Sequence, residues 1–202
     1  MEHSSVISVL TGYLAGGVLI IGYLIYNWKI FKGTTRPNTA TWALWAFIVG
    51  LNALTYDKMS ADHIKAIVSI ASGAFCIFTF LFSLFTGKFK SLDSWDKSIL
   101  VIGLIAIGVW YYFKSATYAN MLLQVAIVIS FVPILHSVWK EPDSENWLPW
   151  MVWVTAYTVS IITVIMRWNV GWDIVYPING FIMHGIVALF SIRRQPAPPN
   201  RL

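Results

Sequence analysis

Seven stretches of this chain are too apolar to be solvated by water along their length, and they leave little room for anything else. They cover residues 6–26, 41–56, 64–85, 99–113, 118–138, 147–166 and 174–192. A membrane-crossing helix needs about 20 apolar residues, with about 17 as a lower limit, so 41–56 and 99–113 must borrow flanking residues. Seven such spans take about 140 residues and leave about 60 for every loop and both tails, which excludes a soluble catalytic domain. Hydrophobic residues make up 57% of the 202-residue chain and charged ones 11%, more apolar surface than one soluble core can hide. The expectation is an all-α membrane protein with seven transmembrane helices. The first run lacks a basic leader and a small-residue cleavage site, so it is expected to be a retained helix.

The formal charge of +5 reads first as topology. Alternate connections hold Lys29, Lys32 and Arg36; Lys88, Lys90 and Lys97; Lys140; and Arg193, Arg194 and Arg201. The other side holds Lys58, Lys65, Lys114 and Arg167. That bias places the N-terminus outside and the C-terminus in the cytoplasm. No extramembrane segment is large enough for a basic nucleic-acid-binding face. Cys76 is the single cysteine, inside an apolar run, and reads as packing. His3, His63, His136 and His184 share no metal-ligand spacing, and neither metal nor cofactor is expected. There is no nucleophile–base pair and no Gly-rich phosphate loop, and the glycines of "LAGGVLIIG" suit close helix packing. The chain is not expected to be an enzyme.

Two segments repeat a pattern: "TATWALWAFIVGLNALTY" and "SENWLPWMVWVTAYTVSI". Setting Trp42 on Trp147 also sets Trp45 on Trp150, Val49 on Val154 and Asn52 on Tyr157. Positions 0, 3, 7 and 10 share one stripe of a helix, and ten residues descend about 15 Å, half of a hydrocarbon core about 30 Å thick. Upstream, "NWKIFKG" faces "HSVWKEP"; downstream, "IASGAF" faces "PINGFI", pairing Ser72 with Asn179 and Gly73 with Gly180. The expected organisation is a three-helix repeat over 1–90, a linker helix over 91–116, a second three-helix repeat over 117–195 and a cytoplasmic tail over 196–202. An odd helix between the copies makes them parallel repeats about an axis along the membrane normal.

This 3-1-3 pattern resembles the SWEET and PQ-loop solute carriers and the bacterial nicotinamide riboside transporter family. "WKIFKGTTRPNTATW" and "SFVPILHSVWKEP" are similar to the cytoplasmic connections of such repeats, with Pro133 where those helices bend. "YPINGFIMHG" resembles the proline, asparagine and glycine cluster of the last SWEET helix, and "ENWLPW" the tryptophan-rich stretch of the vitamin carriers. The chain departs in having no Pro-Gln pair, no proline in its first helix, and Ser72 where an asparagine would complete the pair. The resemblance implies transport of small polar solutes, sugars or vitamin-like nucleosides, by rocking of the two halves.

Candidate solute-binding residues are Asn52, Tyr157, Ser72 and Asn179 for polar contacts and Trp45 and Trp150 for flat walls, with His184 and Tyr176 as further candidates. Each has a plainer reading. Asn179 and Asn52 could clamp helices together, Trp42 and Trp147 suit an interfacial belt, and His184 could be a packing residue. No carboxylate sits in the middle of a span, and Asp62 and Asp173 fall at outer ends, which favours a facilitator over an ion-coupled pump. The last span carries no lysine for a retinal Schiff base. The leading expectation is a uniporter for a small polar, ring-containing solute. The alternatives are a non-transporting membrane sensor or assembly subunit and, last, an intramembrane enzyme. Expected partners are the solute and the bilayer, with the first and fourth spans free to form a homo-oligomer contact.

Overall fold

A computed structural model describes residues 2–33, 35, 37, 39–86 and 94–193. Arg36, Lys88, Lys90, Arg194 and Arg201, which entered the orientation argument, lie outside the described residues, as does the tail 196–202. The described residues form seven α-helices and no strands: α1 Glu2–Phe31, α2 Thr39–Ser60, α3 His63–Thr86, α4 Ser94–Phe113, α5 Ala116–Lys140, α6 Trp147–Met166 and α7 Val175–Ile192. Short 3₁₀ turns, Pro142–Ser144 and Gly171–Ile174, precede α6 and α7.

Six of the expected runs lie within an α-helix, and the seventh, 174–192, begins one residue before α7, in the 3₁₀ turn that leads into it. The run at 147–166 coincides with α6, because Asn146 caps its start by accepting from the Leu148 N–H at 3.1 Å. Ser115 does the same for α5, taking the Tyr118 N–H. The run at 41–56 extends into a 22-residue helix by taking up polar residues at both ends. Six helical segments are long and apolar enough to cross a membrane; α2 is long enough, but its Asn, Thr, Asp and Lys content sets it apart.

The distribution of side chains supports a bilayer as solvent. Asn27, Asn52, Asn120, Gln124, Lys65 and Asp173 are buried, while Leu10, Leu104, Phe85 and Leu189 are exposed. An apolar exterior around a polar-containing interior is what lipid selects. The chain is an integral membrane protein.

Neighbouring helices are set by close packing. α3 runs along both α1 and α2, and α7 along both α5 and α6; across the bundle α1 meets α6 and α2 meets α5, while α4 lies on α5. Gly22 lets α1 approach α6 so closely that a Cβ there would overlap the Trp153 indole, and Gly180 does the same for α7 against the Tyr157 ring. The helix ends meet at two faces. At the first, where α1 joins α2, the Thr39 hydroxyl donates to the Ser83 carbonyl and Arg193 donates to the Trp139 carbonyl. At the second, where α2 joins α3, the contacts are largely ionic.

Candidate functional site

The stripe on α6 is Trp150, Trp153, Tyr157 and Ser160, all buried. On α2 it is Trp42, Trp45, Val49 and Asn52, occupying the same positions counted from each helix start, Thr39 and Trp147. Trp42 and Trp45 meet edge to face at 5.0 Å, and Trp150 and Trp153 at 5.1 Å. The structural correspondence is therefore three residues away from the one suggested by sequence. Tryptophan recurs at 147, 150 and 153, so either register satisfies the pattern, and the helix start chooses. Trp147 is 45% exposed and points outward, whereas Trp150 is 1% exposed. Trp42, expected in an interfacial belt, is buried.

Trp42, Trp45 and Val49 of one stripe and Trp150, Trp153 and Tyr157 of the other line a central cavity with Tyr23, Phe131, Tyr176 and His184. The cavity volume is about 40 Å³. It is a narrow slot between rings. The His184 ring sits between Phe131 at 5.1 Å, Trp150 and Trp153 both at 5.5 Å, and Tyr157 at 5.0 Å. Tyr176, Asn179, Gly180 and His184 fall on one face of α7, which brings His184 into the wall although it is five residues from Asn179.

Polar groups sit at the edges of the slot. The Tyr157 and Tyr176 hydroxyls are 3.2 Å apart, and the Tyr23 hydroxyl lies 3.3 Å from the Ser72 hydroxyl and 3.2 Å from Cys76 Sγ. Of the sequence-predicted residues, Trp45, Ser72, Trp150, Tyr157, Tyr176, Asn179 and His184 line the cavity. Asn52 does not. It is fully buried, and its Oδ1 accepts from Asn120 at 2.9 Å and Gln124 at 2.7 Å. Asn179 donates to Gln124 Oε1 at 3.0 Å, so Gln124 joins the two asparagines that sequence reading placed together in one site. Asn120 and Gln124 went unnoticed in "YANMLLQVAI", where two amides four residues apart in an apolar helix were the available signal.

The two ends of the slot differ. Toward the first face, Trp42, Trp45 and Ser130 also line a wider vestibule with about 300 Å³ open to water, reaching Pro133, Ser137 and Glu145. Glu145 is half-buried, and its Oε2 accepts from Trp150 Nε1 at 3.3 Å. Burial pushes its carboxyl up from 4.5 to about 7, against the opposing pull of the Trp150 bond. With the folded value above the unfolded one, the stabilisation from this group is complete below about pH 4.5 and is lost as pH rises through about 7. Thermal unfolding in detergent between those values is expected to show the wild-type midpoint falling with pH relative to Glu145→Gln. A constant difference between the two would remove Glu145 as the titrating group.

At the second face the end of the bundle is tied by buried ionic groups. Lys65 of α3 bonds Asp173 and Asn169, and the side chains of Lys65 and Asp173 are both 0% exposed. The Tyr56 hydroxyl donates to the Asp173 carbonyl at 2.8 Å. Closer to the surface, Arg167 Nε donates to Asp62 Oδ2 at 2.7 Å and its Nη1 to the Ser8 hydroxyl at 2.9 Å. Burial raises the Asp62 carboxyl, but the Arg167 bond and charge and two backbone N–H groups outweigh it and hold the carboxyl below its ordinary value. Lys65 and Asp173, read from sequence as outer-end charges, are thus interior groups paired with each other. Among the described residues no cluster of three metal-ligating side chains occurs.

No protein-family model, curated protein or solved structure matches the chain.

Proposed function

We propose that this chain is a facilitator that moves a small polar, ring-containing solute, such as a sugar or vitamin nucleoside, by alternating access between two helix triplets. The observation that carries the reading is an asymmetry: the aromatic cavity shares Trp42, Trp45 and Ser130 with a wider vestibule toward one face, while a buried ion pair lies at the other. Such an asymmetry suits one of the two conformations of a carrier. The packing order supports triplets α1–α3–α2 and α5–α7–α6 with α4 as linker, in a 3-1-3 arrangement akin to SWEET and PQ-loop carriers. With the N-terminus outside, the vestibule opens to the cytoplasm and the ion pairs close the outer side. The aromatic walls would stack on the solute ring, and Asn179, Ser72 and the paired tyrosines would meet its polar edge.

Uptake into proteoliposomes, scanned over labelled sugars and vitamin nucleosides, tests the proposal. Trp150→Ala and Asn179→Ala are each expected to cut uptake of the transported solute about fivefold or more. Uptake that survives both substitutions would move the site elsewhere.

A second reading, a non-transporting sensor or assembly subunit, draws on the Asn179–Gln124 bond and on the narrowness of the slot. In that case no solute crosses the membrane.

A further inference from the structure

The amides between α2, α5 and α7 form a chain with a fixed direction. The Asn120 amide nitrogen faces the Asn52 backbone carbonyl at 3.4 Å, and the Asn179 amide nitrogen faces the Gln124 backbone carbonyl at 3.3 Å. A backbone carbonyl only accepts, so both terminal amides are oriented with nitrogen toward these oxygens. Between them, Gln124 must present Oε1 to Asn179 Nδ2, at 3.0 Å, and Nε2 to Asn52 Oδ1 and Asn120 Oδ1, at 2.7 and 3.3 Å. Every internal bond agrees with that polarity. Both bonds of the Asn179 nitrogen are therefore spent on α5, and Oδ1, an acceptor, is what Asn179 has left to offer.

His184, Trp150 and Trp153 lean the same way. His184 Nδ1 lies 2.7 Å from the Gly180 carbonyl, so a neutral imidazole carries its proton there and presents Nε2 as an acceptor. Two indole donors are turned away from the slot, Trp153 Nε1 onto the Leu19 carbonyl at 3.2 Å and Trp150 Nε1 onto Glu145. The Tyr157–Tyr176 hydroxyl pair spends one of its two protons internally.

We propose that the slot selects a flat ring carrying a hydrogen-bond donor on its edge, and that Gln124 is the positioning residue that sets this preference by holding Asn179 with its carbonyl free. The inference rests on the reading of the cavity as a solute site. A ring lacking the donor leaves Asn179 Oδ1 and His184 Nε2 unpaired in a water-poor slot, which disfavours it.

Benzimidazole and benzoxazole separate the donor from shape, because they differ by N–H against O in the same flat bicycle. Their dissociation constants are measured by ligand-observed NMR at pH 7.5 on the full chain in lipid nanodiscs, with empty discs subtracted. Benzimidazole is expected to bind about fivefold or more tightly than benzoxazole. Gln124→Met removes Oε1 and is expected to reduce that ratio about threefold. Gln124→Glu keeps an acceptor for Asn179 Nδ2 and is expected to preserve it. A merely structural role for Gln124 would weaken both probes together and leave their ratio unchanged, which overturns the proposal. Equal binding of both probes to the wild-type chain overturns the donor preference while leaving the cavity a ring-binding site. No signal from either probe above empty discs overturns the solute-site reading together with this inference.

Discussion

Lys65→Met is expected to destabilise the folded bundle by about 3–5 kcal/mol, the usual consequence of stranding one member of a buried ion pair. The Lys65 ammonium bonds Asp173 and Asn169 with no exposure of either charged side chain, and Asp173 Oδ1 already lacks a partner. Removing the lysine leaves a buried carboxylate without its counter-ion. Unfolding in detergent, followed by circular dichroism, measures the loss. The double substitution Lys65→Met with Asp173→Leu is expected to recover most of it, because two apolar side chains of similar volume replace the pair without an orphan charge. A double variant as unstable as the single one would show that the pair organises the backbone around the Gly171–Ile174 turn. Under the transport proposal, the same double variant loses the latch and is expected to favour the conformation open at that face.

Gly180→Val tests the other crowded point of the fold. A Cβ at 180 would overlap the Tyr157 ring, and that ring also touches His184 and shares a hydrogen bond with Tyr176. Relief requires α7 to move off α6 or Tyr157 to swing into the slot. Overpacking of this kind costs about 1–3 kcal/mol. A displaced Tyr157 would also fill the cavity, so loss of uptake is expected to exceed what the stability change alone accounts for. Adding Tyr157→Ala should restore stability to the valine variant, with a coupling of about 1 kcal/mol or more between the two sites. Additive effects would mean that the two side chains do not compete for that space.

The helices were legible because each apolar run ends at a polar or helix-stopping signal, as at Asn146 before α6. The paired tryptophans were legible as a motif but not in their register, since a residue repeated every three positions aligns with itself at two offsets. Asn52 and Asn179 were recognised as polar residues inside the membrane. Their mutual arrangement depended on Gln124 and Asn120 of α5, and linear spacing does not tell which face of α5 turns toward α2. Lys65 shows a different limit. A lysine near a helix end reads as an interfacial charge, and only the return of the chain at Asp173 reveals it as an interior one.

Arg167, Asn169 and Asp173 all belong to the short connection between α6 and α7, and each reaches a residue between Tyr56 and Lys65. The closure of that face is thus carried by one strap of seven residues, 167 to 173, outside the aromatic walls of the slot. A proteolytic nick or an inserted residue in this strap would put both ion pairs out of register together and leave the ring-lined chamber intact. Under the transport proposal, closure and recognition occupy separable pieces of the chain, so one can be re-engineered, or altered in the course of descent, without rebuilding the other.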